Sequence, residues 1–272
     1  MYPYLKLSEQ LLIPTFYLVI SLTASFLALW VVYRARSKNL PVSDALDIGL
    51  ALLVGGFLGA RLFHVLYEEP QFYFAHPMEI LKLWHGGYVF YGGVFGALAL
   101  GSLLLWYKQK KLGNTGFAST FWPWADFFAP IVALGYALGR IGCFLNGCCF
   151  GHPSSLPWAL TFPSHSHWGM SLSSRHPTQL YAFVWEMLLV GALLWWDRRG
   201  SKLTSSPPIP GQLFLLWLAG HSLGRILMEL FRDDFRGPQM LGGILSISSL
   251  ISLVLLGTAL ALLWGLFREK RA

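Results

Sequence analysis

The chain has 272 residues, of which 55% are hydrophobic, 16% aromatic and only 12% charged, with a net charge of +7. Soluble domains hold about 25% charged residues, so half that share excludes an ordinary water-soluble globule and fits a polytopic membrane protein, whose apolar side chains meet lipid instead of a large core. The basic excess reads as membrane topology and not as a nucleic-acid surface, and three cysteines do not make a disulfide framework.

Seven apolar runs follow one another at 11–33, 45–66, 88–106, 120–143, 177–196, 211–231 and 241–266. Each is near the roughly 20 residues that cross a bilayer as a helix. A basic cluster follows every odd-numbered run: Arg34, Arg36 and Lys38; Lys108, Lys110 and Lys111; Arg198, Arg199 and Lys202; Arg268, Lys270 and Arg271. Such clusters stay in the cytoplasm. The sequence therefore predicts an all-α membrane protein with seven transmembrane helices, the N-terminus outside and the C-terminus inside. The runs are evenly spaced with no long polar linker, which predicts a single polytopic domain over 1–272. The first ten residues lack a basic n-region, so no cleavable signal peptide is expected.

The connections on the basic side are short and polar. The outer segments are richer: 67–87 carries aromatics and Pro70, 144–176 carries Pro153, Pro157, Pro163, His165, His167 and Trp168, and 232–240 is charged. Aromatics in such segments anchor at the membrane interface.

A few charges lie in or at the ends of the spans: Arg61, Asp126, Arg140, Glu186, Arg225 and Glu229. A guanidinium at the bilayer centre costs at least about 2.5 kcal/mol, so each needs a partner. Arg61, Arg140, Arg225 and Arg232 lie late in even-numbered runs, which travel outward, and so belong to the outer half. Arg225, Glu229 and Arg232 are spaced to share one helix face. One reading is a structural Arg225–Glu229 pair. The other, favoured by the excess of arginine, is a site for phosphate, which arginine binds bidentately.

Glycines gather at the same level. Gly55, Gly56 and Gly59 suit close helix packing. Gly86-Gly87 and Gly92-Gly93 flank a helix entry, where paired glycines let backbone N–H groups approach an anion. His176, Gln179 and Tyr181 open the fifth run behind Pro177, in capping or binding roles. Cys143, Cys148, Cys149 and His152 form a C-x4-C-C-x2-H pattern that fits structural zinc spacings poorly, and no metal is expected. A cysteine nucleophile lacks a nearby cue for thiolate activation.

Several motifs, in order and spacing, resemble those of the prolipoprotein diacylglyceryl transferases. They are Gly59-x-Arg61, Gly-Gly-x-x-Phe-x-Gly-Gly at 86–93, Asp126-Phe-x-Ala-Pro130, Gly-Arg-Ile-Gly-x-Phe-x-Asn-Gly-x-x-x-Gly at 139–151, His176-Pro-Thr-Gln-Leu-Tyr181 and Arg225-x-x-x-Glu229-x-x-Arg232. The resemblance covers nearly the whole chain. It implies transfer of an sn-1,2-diacylglyceryl group from phosphatidylglycerol to the lipobox cysteine thiol of a prolipoprotein signal peptide, with release of glycerol 1-phosphate. It also implies a bacterial cytoplasmic (inner) membrane location, an active site toward the outer leaflet and no cofactor.

By the same resemblance, Arg140 and Arg225 match the family's essential arginines. Tyr17 matches its first-helix tyrosine, Asn146 and Gly151 its signature, and Glu229 and Arg232 its sixth-helix pair. Gly142 lies in the signature, and Gly86, Gly87, Gly92 and Gly93 form the paired-glycine motif. Three positions depart from the family pattern: Tyr91 stands in place of a histidine, Cys143 of an asparagine and Cys148 of a glutamate. His221 stands where the family often has tyrosine. Arg140 and Arg225 are expected to clamp the phosphate while Tyr91 and Asn146 orient headgroup or thiol, with Tyr91, His85 and His221 as candidates for the thiol proton. The competing readings are a paralogue with another acceptor, an anion transporter and a thiol-redox membrane protein.

Overall fold

The computed structural model describes residues 4–6, 12–83, 86–111, 116–162, 173–200, 209–233 and 246–269. His85, Pro163, His165, His167, Trp168, Lys202, Lys270, Arg271 and most of 232–240 lie outside the described residues. The helices are α1 (Thr15–Ser37), α2 (Val42–Phe63), α3 (Pro70–Ala75), α4 (Phe90–Lys111), α5 (Phe117–Asn146), α6 (Thr178–Gly200), α7 (Gln212–Glu229) and α8 (Ile247–Glu269). Two short antiparallel pairs accompany them: β1 (Tyr4–Lys6) with β2 (Leu12–Pro14), and β3 (Leu160–Thr161) with β4 (Ser174–Arg175).

Among the described residues, six helices are long and apolar enough to cross a membrane: those starting at Thr15, Val42, Phe90, Phe117, Thr178 and Ile247. The remaining long helix, α7, has 18 residues and carries Gln212, His221, Arg225 and Glu229, which hold its apolarity below theirs. The first run does not begin as helix at 11. Leu12–Pro14 is a strand and α1 starts at Thr15, because proline pushes the residue before it out of the helical region. The fourth helix outruns its apolar run at both ends, and Arg140 lies more than a turn inside it.

The chain divides into two compact units, Ala28–Trp124 and Met1–Leu27 with Ala125–Ala272. In the first, α2 and α4 pack through glycine. A Cβ at Gly55 would stand 2.5 Å from the Gly96 carbonyl, and one at Gly59 would fall on the Gly92 carbonyl. This is the small-residue packing that lets membrane helices approach closely. At the other end of the pair, Lys108 Nζ meets Asp44 (2.5 Å) and Asp47 (2.6 Å). Beyond Phe63 the helix widens into a π turn at His64–Glu68, and α3 and a 3-10 turn at Pro77–Leu81 follow.

In the second unit, Ala129 and Ala133 of α5, Val190 and Leu193 of α6, and Leu213 and Trp217 of α7 form the core. The N-terminus of α7 has no cap of its own, and Asp126 supplies one from α5: its carboxylate accepts from Gly211 N (2.7 Å) and Phe214 N (2.8 Å). A negative charge there satisfies orphan N–H groups and meets the positive end of the helix dipole. Asp126 therefore has a structural reason to be a charge within an apolar run.

Candidate active site

The 139–151 stretch ends α5 in a defined way. Gly147, at φ +73°, donates to Phe144 O (3.1 Å), and Cys148 N donates to Cys143 O (3.2 Å). This is a Schellman cap, with glycine in the left-handed position where a side chain is disfavoured. It folds Cys148 back over the last turn of the helix. Cys149 also has positive φ, +66°, and turns the chain again. The sulfurs of Cys143, Cys148 and Cys149 consequently all lie within 4.8 Å of one another. Hydrogen bonds from the Cys143 and Cys148 thiols, then the charges of Arg232 and Arg140, hold the Cys149 thiol well below its usual range. Hydrogen bonding to its two neighbours and burial push Cys148 up.

Three distant segments are knitted together just beyond this turn. Gly151 N donates to His176 O (2.9 Å), His176 N to His152 O (3.1 Å) and His152 N to Phe231 O (2.9 Å), and Gly151 bridges Arg232. Thr178 Oγ1 donates to Cys149 O (2.6 Å) and Gln179 Nε2 to Cys148 O (2.5 Å). Arg175 Nη1 donates to Gly151 O (3.2 Å) and pairs with Asp233 (2.7 Å). A Cβ at Gly151 would fall on the Phe231 carbonyl and lie 2.8 Å from His176 Cβ, so only glycine fits. His176 Nδ1 lies 3.1 Å from Tyr181 Oη, which also accepts from Trp158 Nε1 (2.8 Å). Gly151, His176, Gln179, Tyr181 and Arg232, five of the candidate residues, thus fall in one cluster.

Arg140 and Arg225 are held differently from Arg175. Arg140 Nη2 donates to Tyr136 Oη (2.7 Å), one turn back on α5, and its guanidinium stands 4.5 Å from the centre of that ring. Tyr136 also lines a small cavity with Ala182, Trp185, Glu186, Gly224, Arg225 and Met228, and so links Arg140 to Arg225. Arg225 is buried. Its Nη2 reaches Glu229 at 3.7 Å, beyond hydrogen-bond distance, and its Nε meets no partner among the described residues. Beside them His221 Nδ1 is hydrogen-bonded to Glu186, both buried, and the Tyr136 ring packs edge-on against His221 at 4.7 Å. Asn146 is exposed at the end of α5 and Tyr17 is exposed in the first turn of α1. Gly142 gives room to α1: a Cβ there would stand 3.2 Å from Phe16.

The other unit holds a cleft of about 290 Å³ lined by Arg61, His64, Glu69, Phe72, Tyr73, Glu79, Gly86 and Gly87. Arg61 is buried and surrounded by main-chain carbonyls. Nε donates to Ile80 O (3.3 Å), Nη1 to Gly86 O and to Gly87 O (3.4 Å), and Nη2 to Glu79 O (2.8 Å) and Lys82 O (3.5 Å). Its five N–H donors are engaged. Gly86 and Gly87, at φ +81° and +79°, turn carbonyls onto this guanidinium instead of opening N–H groups to an anion, and Gly92 and Gly93 face α2 in the helix packing. Tyr91 is buried in the first turn of α4.

Sequence reasoning passed over His64. Its Nδ1 lies 2.5 Å from Glu68 Oε2, one turn on, and its ring packs where a Cβ of Gly87 would stand. The visible signal was a His-x-x-x-Glu spacing beside Gly59-x-Arg61. Tyr136, four residues before Arg140, was equally available.

Six long apolar helices among the described residues define a membrane-integral helical protein. The prolipoprotein diacylglyceryl transferase family profile matches residues 6–265. A phosphatidylglycerol–prolipoprotein diacylglyceryl transferase of Bordetella avium is 37% identical over 222 residues, 81% of this chain and 76% of that one. Proteins of the same name from Nitrosomonas europaea and Methylobacillus flagellatus are 38% and 39% identical, covering 84% and 75% of this chain and 74% and 70% of theirs. The chain belongs to the prolipoprotein diacylglyceryl transferase family and is a membrane-integral transferase.

Proposed function

We propose that the chain transfers the sn-1,2-diacylglyceryl group of phosphatidylglycerol to the lipobox cysteine of prolipoproteins. The thiolate attacks the glyceryl carbon, the carbon–oxygen bond to phosphate breaks, and glycerol 1-phosphate leaves with the electron pair. The observation that carries this reading is Arg225, buried with its Nε unpartnered among the described residues and linked through Tyr136 to Arg140. Such a guanidinium, together with that of Arg140, matches a phosphate that gains charge as it departs. Glu229 orients Arg225, and Asn146 and Tyr17 belong to substrate binding. Gly151, His176, Gln179, Tyr181 and Arg232 hold the signature turn that follows Arg140.

The thiol must lose its proton before it attacks. In the Ala28–Trp124 unit, Glu68 lies against His64 Nδ1, the arrangement by which a carboxylate orients a histidine base. His221 is committed to Glu186. Tyr91 is buried, and a phenol with pKa near 10 is a poor base unless activated. In this reading Arg61, Gly86, Gly87, Gly92 and Gly93 shape the cleft without binding the phosphate.

Seven crossings, α7 among them, with the N-terminus outside and the active site toward the outer leaflet of the bacterial cytoplasmic membrane, complete the proposal. Four basic clusters at alternate ends of the runs support it. The test is an assay with phosphatidylglycerol and a lipobox peptide. Peptide lipidation with stoichiometric glycerol phosphate supports the reading, and lipid-independent peptide modification overturns it.

A further inference from the structure

We propose that Cys143, Cys148 and Cys149 form a trigonal thiolate site for copper(I). The three sulfurs lie within 4.8 Å of one another. A metal–thiolate bond of about 2.3 Å sets sulfurs about 4 Å apart around a trigonal ion, so closure takes less than an ångström of movement. The turn is already built for it. The glycine cap at Gly147 returns Cys148 over Cys143, and the left-handed backbone of Cys149 brings the third thiol round. Gln179 and Thr178 pin the carbonyls of Cys148 and Cys149.

The donor set selects the ion. His152, the fourth member of the C-x4-C-C-x2-H pattern, points its Nδ1 at Asp233 (3.2 Å) and stands outside the sulfur cluster. Structural zinc takes four ligands. Three soft sulfurs, with no fourth donor among the described residues, suit copper(I), which thiolates favour. Charge agrees. Three thiolates around one monovalent ion leave two net negative charges, and two guanidiniums, Arg140 and Arg232, act electrostatically on this cluster. Loading releases to solvent whatever protons the three thiols still carry as three copper–sulfur bonds form, with no electron transferred. Because Arg140 then faces the anionic cluster, copper(I) lowers transferase turnover, a consequence that rests on the function proposed above.

The test uses the purified, reduced full chain in detergent without oxygen, titrated with copper(I) held by bathocuproine disulfonate and, in parallel, with zinc(II). The expected result is one copper(I) per chain withdrawn from the chelator, with thiolate-to-copper absorption in the ultraviolet and protection of the three thiols from alkylation. Cys148→Ser and Cys149→Ser each weaken retention at least roughly 10-fold, the lower end of what even an outer-shell partner costs, while His152→Ala leaves it unchanged. Cys143→Asn, which installs the residue of the family pattern, guards against misfolding and must lose copper too. No withdrawal by the wild type, or equal retention by a triple serine variant, overturns the site; dependence on His152 or preference for zinc overturns the copper assignment. Glycerol phosphate release from the metal-free preparation reports the transferase reaction separately.

Discussion

Arg61 and Arg225 are both buried arginines near the ends of long helices, yet they are used in opposite ways. Arg61 is ringed by five carbonyl contacts from residues 79–87, so its charge organises a loop. Arg225 has a carboxylate at 3.7 Å and, among the described residues, an unpartnered Nε, which is why we propose that its charge meets a ligand. The same residue type is a keystone in one unit and, in the proposed function, a binding group in the other. What distinguishes them is how many of the five donors the fold itself consumes.

Substitution separates the two roles. Arg225→Ala and Arg140→Ala lower turnover by about 100-fold or more while the detergent-solubilised protein keeps its melting temperature; a loss of folding with normal turnover in the surviving fraction would reverse the comparison. Arg61→Ala has the opposite signature. It strips donors from several carbonyls and destabilises by at least about 3 kcal/mol, read as a fall in melting temperature with kcat largely kept in the folded fraction. Gly151→Ala forces its new Cβ onto the Phe231 carbonyl and costs about 1–3 kcal/mol, seen as a smaller fall in melting temperature.

The mildest test reads the thiols. Because Cys149 is held below its usual range and Cys148 is pushed above it, iodoacetamide labels Cys149 first as pH is raised. Peptide mapping that finds Cys148 modified first contradicts that order.

The sequence makes the long helices legible because apolar runs of about 20 residues have few alternatives in a bilayer. It is less informative at their ends. The strand before Thr15 follows from Pro14, but the extension of α5 to Asn146 depends on a glycine cap whose hydrogen bonds close only in three dimensions. The role of Arg61 was illegible for a related reason. Its partners are main-chain carbonyls of a nonhelical segment, and backbone acceptors leave no mark in residue identity. Gly92 and Gly93 likewise read as an anion-facing pair until α2 is seen against them. Arg140 and Arg225 stood out because a charge in an apolar run always needs an explanation, and the fold supplies Arg225 with less than it could use.

The most direct measurement is glycerol phosphate release from phosphatidylglycerol in the presence of a lipobox peptide, comparing the wild-type chain with Arg225→Ala and Arg225→Lys. The account predicts stoichiometric release by the wild type, near-complete loss in Arg225→Ala and only partial recovery in Arg225→Lys, because a point charge replaces charge but not the bidentate fork. Wild-type turnover in Arg225→Ala would contradict it.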